Sequence, residues 1–91
     1  MRIRKGFHLE DKGNGTWIAR AEESLAAEYP NAFYLGLTGA YLWEQLTQRD
    51  CSRVELVLAL EQLFDTEVPE GALERDVDTL ITFLQENNIL E

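Results

Sequence analysis

The apolar residues of this chain change period once. Through the first third they alternate. Gly6-Phe7-His8-Leu9-Glu10 places apolar side chains at every second position, Lys12-Gly13-Asn14-Gly15 supplies residues that tolerate positive φ, and Thr16-Trp17-Ile18-Ala19 is β-prone. The pattern predicts a hairpin. Glu22 to Asn31 mixes helix-favouring Ala and Glu with the break at Tyr29-Pro30-Asn31, which predicts an irregular excursion. Ala32 to Leu37 then returns to β character as a third strand, and Thr38 stands where it can cap a helix.

From there the period lengthens to about 3.6. Tyr41, Leu42, Trp43 and Leu46 predict a short first helix from Gly39 to Thr47, with Arg49-Asp50-Cys51 as its exit loop. Ser52-Arg53-Val54-Glu55 matches a capping box, in which the serine hydroxyl accepts a hydrogen bond from the backbone three residues on and the glutamate reaches back. The second helix it opens carries Leu56, Leu60, Leu63 and Phe64 on one stripe. Residues 65–69 predict a loop ending on Pro69 as the first residue of a third helix, because the missing N–H would be unpaired there anyway. That helix runs to Glu86 with Leu73, Val77, Leu80, Ile81 and Leu84 inward. Asn87-Asn88 terminates it, and Ile89-Leu90 forms an apolar tail that folds back onto the core.

The order β-β-β-α-α-α is an α+β pattern, a winged helix-turn-helix with three N-terminal antiparallel strands followed by three helices. At 91 residues the expectation is one domain spanning 1–91 with an ordinary apolar core. One cysteine, Cys51, excludes an internal disulfide and any Cys-rich zinc site, and a reducing cytoplasmic setting fits it. Basic Met1-Arg2-Ile3-Arg4-Lys5 precedes no apolar signal core, and no apolar run approaches a membrane span, so the expectation is a soluble protein away from membranes.

The net charge is −9, unevenly spread: residues 1–20 hold five Lys or Arg against two acids, residues 21–91 three Arg against fifteen acids. This weighs on each candidate chemistry. Glu70, Glu74, Asp76 and Asp78 could pair as acid and base, but they lie away from the predicted apolar stripe, and a solvated helix face explains them better. His8 lacks a ligand-spaced partner and reads as an exposed strand residue. Cys51, beside Arg49 and Arg53, has neither a base nor a resolving cysteine. Gly13-Asn14-Gly15 opens no helix and is a turn, not a phosphate loop. No catalytic residue, metal or cofactor is expected.

Helix-turn-helix order raises a DNA-binding regulator as one alternative, yet the third helix offers only Arg75 against five acids, and duplex binding needs bases that displace phosphate counterions. No nucleic acid is expected. A third class, an interaction module for a folded partner, stays open, as do monomer and dimer. A small three-stranded sheet has edges whose unpaired backbone groups can take an added strand. Phe83 lies about 100° off the Leu73 to Leu84 stripe, on the side of Ala72, Asp76 and Thr79, where it either widens the core or faces such a strand.

The run Phe33-Tyr34-Leu35-Gly36-Leu37-Thr38-Gly39-Ala40-Tyr41-Leu42-Trp43-Glu44-Gln45-Leu46 resembles the strand-to-helix motif of the PqqD family. So do Val54-Glu55-Leu56 to Phe64-Asp65, Val68-Pro69-Glu70, Leu73-Glu74-Arg75-Asp76-Val77, Phe83-Leu84 and the closing Asn88-Ile89-Leu90, and the start Met1 to Phe7 is similar to that of shorter PqqD-like proteins. The resemblance implies a non-catalytic peptide chaperone, a precursor-peptide recognition element. Such a protein binds the leader of a ribosomally made precursor peptide by β-strand addition and presents it to a maturation enzyme, often a radical S-adenosylmethionine protein. It nominates Phe33, Tyr34, Leu35 and Gly36 for backbone pairing and Asp76, Thr79, Leu80 and Phe83 as the groove lining. Two departures, Gly36-Leu37 where the family has Asn and a polar or acidic residue, and the long Glu22 to Asn31 segment, are expected against that groove.

Overall fold

The computed structural model of the chain describes residues 1–64 and 67–91. Its elements run β1 (Phe7–Asp11), β2 (Trp17–Ala21), β3 (Phe33–Leu35), α1 (Leu37–Gln48), α2 (Arg53–Leu63) and α3 (Ala72–Glu86), with a 3₁₀ turn at Glu23–Leu25 before β3. Three antiparallel strands followed by three helices is the α+β order that the change of period predicts.

The strands lie in the order β1-β2-β3. Leu9 faces Ala19, which faces Phe33, and Trp17 faces Leu35, so one side of the sheet is apolar and packs on the helices. The other side carries His8, Glu10, Arg20 and Tyr34, with Ile18 buried between its register partners Glu10 and Tyr34. Between β1 and β2, Gly13 and Gly15 both take positive φ, 83° and 81°, and Lys12 N–H closes the turn on the Thr16 carbonyl at 2.9 Å.

Under the sheet, Trp43, Leu42 and Leu46 of α1 pack with Leu56 and Leu60 of α2 and with Val77 and Leu84 of α3. The capping box of α2 forms in full, with Glu55 N–H donating to Ser52 Oγ at 3.2 Å and Ser52 N–H to Glu55 Oε1 at 3.1 Å. Leu63, Phe64 and Ile81, expected on the inner stripes, are only half-buried. The tail folds back as expected. Asn88 takes a left-handed φ of 56°, Ile89 is fully buried, and Ile3 and Leu90 form an antiparallel bridge flanked by Arg4 N–H on the Ile89 carbonyl at 2.9 Å.

Helix starts differ from the sequence expectation. The third strand is Phe33–Leu35 and not Ala32 to Leu37, because the Gly36 carbonyl already accepts from Ala40 N–H and so belongs to α1; Thr38 lies inside that helix instead of capping it. Likewise α3 begins at Ala72, not Pro69: Gly71 at φ 79° is left-handed and separates the turn at Pro69 from the helix. Of the loop expected over residues 65–69, Asp65 and Thr66 lie outside the described residues.

The irregular excursion is held by Tyr29. This buried ring meets Phe7 edge-on at 4.9 Å and Phe33 at 6.3 Å, while its hydroxyl donates to the Asn88 carbonyl at 2.5 Å and accepts from Arg4 at 2.8 Å. Arg4 also pairs with Glu28. One side chain thereby ties the excursion to the amino-terminal segment and to the end of α3.

Candidate functional site

β3 pairs with β2 along one margin, and no strand of the described residues occupies the other. Beside that open margin lies a cleft of about 460 Å³. Three pieces of chain wall it: the end of β3 at Tyr34, Leu35 and Gly36, the first turn of α1 at Leu37, Thr38 and Gly39, and one face of α3 at Asp76, Thr79, Leu80 and Phe83. The α3 face exists because a 3.6-residue repeat stacks positions 76, 79, 80 and 83 along one side.

The structure therefore brings together seven of the eight residues nominated from sequence. Phe33, the eighth, stands behind the wall, its ring edge-to-face with Phe83 at 5.3 Å. Phe83 is half-buried and does both things its position allowed, flanking the core and facing the cleft. The α1 residues Leu37, Thr38 and Gly39 were not nominated, though they are contiguous with Gly36. The long excursion, expected against the groove, contributes nothing to its lining; its anchor Tyr29 points into the core.

The floor is apolar, from Leu35, Leu80 and Phe83, and the rim carries one carboxylate. Asp76 is exposed and forms no ion pair among the described residues. Its neighbour Asp78 is committed elsewhere, gripped by Arg53 at 2.6 and 2.9 Å, a bond that holds its carboxyl below the usual carboxylate range. No Lys or Arg lines the cleft, so its field is acidic.

Other chemistry fares less well. His8 is exposed with Nε2 3.2 Å from Glu10 Oε1, and Lys12 and Arg20 approach the same carboxylate, which they and the His8 hydrogen bond hold below its ordinary pKa. Cys51 is not an open loop thiol: it is buried in the core, with Arg49 directed to Glu55 and Arg53 to Asp78. Among the described residues no three His, Cys, Asp or Glu side chains group as metal ligands, and no helix is long and apolar enough to cross a membrane.

Residues 18–90 match the family model described as Coenzyme PQQ synthesis protein D (PqqD). The chain belongs to the PqqD family. This fits the strand-to-helix run from Phe33 to Leu46, which in this PqqD-family chain builds two of the three cleft walls. Among solved structures it is similar to TbiB1 in complex with the TbiA(beta) leader peptide, at 19% identity and a TM-score of 0.69, over 100% of this chain and 95% of that one. At that identity the likeness is one of fold. No curated protein matches the sequence.

Proposed function

We propose that residues 1–91 act as one peptide-recognition domain, a non-catalytic adaptor that takes the leader of a ribosomally made precursor peptide as an added strand on β3 and presents it to a maturation enzyme. The observation that carries this reading is the coincidence of an unpaired strand margin with an apolar, acid-rimmed cleft alongside it. The margin supplies backbone donors and acceptors with little sequence dependence, and the cleft selects alternate side chains of the guest. Phe33 to Gly36 would pair with the guest backbone, while Asp76, Thr79, Leu80 and Phe83 would face its side chains.

Family membership supports the reading, as does a fold shared with TbiB1, whose structure holds a leader peptide. Presentation implies a second partner, and a radical S-adenosylmethionine maturase acting in the cytoplasm is the enzyme class proposed. Strand addition with a few buried side chains gives dissociation constants of roughly 0.1 to 10 μM, tight enough to recruit and loose enough to release. Duplex DNA is a poor alternative: α3 offers Arg75 against Glu74, Asp76, Asp78 and Glu86.

The test is a titration of isotope-labelled protein with the leader of the short precursor encoded beside a maturase gene. Amide shifts concentrated at residues 33–39 and 76–83 are expected. Shifts scattered over the surface, or confined to the β1 margin, would overturn the proposal.

A further inference from the structure

The first turn of α1 gives up helix stability where it borders the cleft. Gly36 occupies the N-cap position with φ −84° and ψ −174°, ordinary extended geometry open to any residue, and a side chain added there would meet nothing within 4 Å. Ser, Asn or Asp would cap the helix in that conformation, and Gly36 provides no side-chain cap. Neither backbone strain nor crowding accounts for the glycine. At the next position, where an acid would complement the helix dipole, the chain has Leu37, a large hydrophobe 53% exposed. Tyr34, two residues before Gly36, is 72% exposed. Two of the large exposed apolar side chains of the described residues thus flank a glycine with open space above it, all three on the cleft wall.

Departures from local preference without internal compensation concentrate at functional positions. Building on the peptide-binding reading, we propose that Tyr34, Gly36 and Leu37 form a specificity slot that receives one bulky apolar side chain of the guest, either aromatic or Leu, Ile or Met. The absent Gly36 side chain supplies the room and Leu37 with Tyr34 the apolar contact. Tyr34 stands on the side of the sheet turned away from the helices, and successive residues of an extended guest face opposite ways, so side chains on the guest's other face run along α3. There Asp76, the unpaired carboxylate of a cleft without bases, selects Lys or Arg. The ligand class is an extended segment with a bulky apolar residue and a basic residue an odd number of positions apart.

The test uses the full chain and phage-displayed random peptides, followed by titration of a selected synthetic peptide. Wild type is expected to enrich the apolar-plus-basic pattern. Gly36→Asn, which fills the slot while adding a cap, is expected to melt no lower than wild type and to bind the selected peptide roughly tenfold more weakly. Replacing the bulky peptide residue by Ala is expected to weaken binding roughly tenfold on wild type and by much less on Gly36→Asn, because only the open slot uses that side chain. Leu37→Ala is expected to lie between.

Equal losses on both proteins, or a lower melting temperature for Gly36→Asn, would overturn the slot. So would selection of peptides that shift cleft amides yet bind the variants as tightly as wild type, and in that case the adaptor role would stand. Failure of wild type to select any peptide would remove the peptide-binding reading itself.

Discussion

Phe33 of β3 and Phe83 of α3 meet edge to face, ring centroids 5.3 Å apart and planes 86° from one another. The contact fixes how far α3 stands from the strand margin and so the width of the cleft. Phe83→Ala should cost about 1 to 3 kcal/mol, less than a fully buried phenylalanine because the ring is half-exposed. It should also abolish most peptide binding, whereas Phe83→Leu should retain most of the stability. Urea unfolding followed by calorimetric titration measures both effects.

The Tyr29 hydroxyl joins Arg4 to the Asn88 carbonyl, and none of the three residues lines the cleft. Tyr29→Phe keeps the ring contacts with Phe7 and Phe33 and should lower unfolding free energy by about 1 to 2 kcal/mol, the cost of unpairing partly buried polar groups. Peptide affinity should stay within about twofold of wild type. A large loss of affinity with little loss of stability would show that the two regions are coupled.

Gly6 has φ +110°, and a side chain there would approach Leu25 Cδ1 to 2.8 Å. Leu25 can rotate, but the backbone conformation cannot be relieved without moving the Glu22 N–H that donates to the Gly6 carbonyl. Gly6→Ala should cost about 1 to 3 kcal/mol in urea unfolding.

Acid should destabilise the fold through exposed carboxylates. The Asp78 carboxyl is held low by its hydrogen bonds from Arg53, and that of Glu55 by the Ser52 backbone N–H and then by Arg49. Because the folded values lie below the unfolded ones, their contribution is complete above the usual carboxylate range and disappears as pH falls through the depressed values. The melting temperature should therefore decline below about pH 4. Asp78→Asn should make the decline shallower, and high salt should shrink the difference between the two proteins.

The element order was legible because it follows from the change of apolar period, and the capping box of α2 was legible because Ser52 and Glu55 satisfy each other locally. Two helix starts were not, since each hangs on a glycine whose conformation is a tertiary outcome: extended at Gly36, left-handed at Gly71. The burial of Cys51 was hidden for a similar reason. Its loop is covered by the amino-terminal segment, whose Met1 carbonyl accepts from Cys51 N–H at 2.8 Å, a pairing across 50 positions. Tyr29, beside Pro30, read as part of a break and proved to be an anchor. The α3 wall could be anticipated from helical spacing, whereas the α1 wall depends on how β3 turns into its helix.

The brevity of β3 has a kinetic corollary. Three residues of open margin can offer only a handful of ladder contacts, each contributing about 1 kcal/mol net, so a guest strand finds little to delay its departure once its side chains slip free. Exchange on such a dock should be quick, and a single copy could hand over many successive guests.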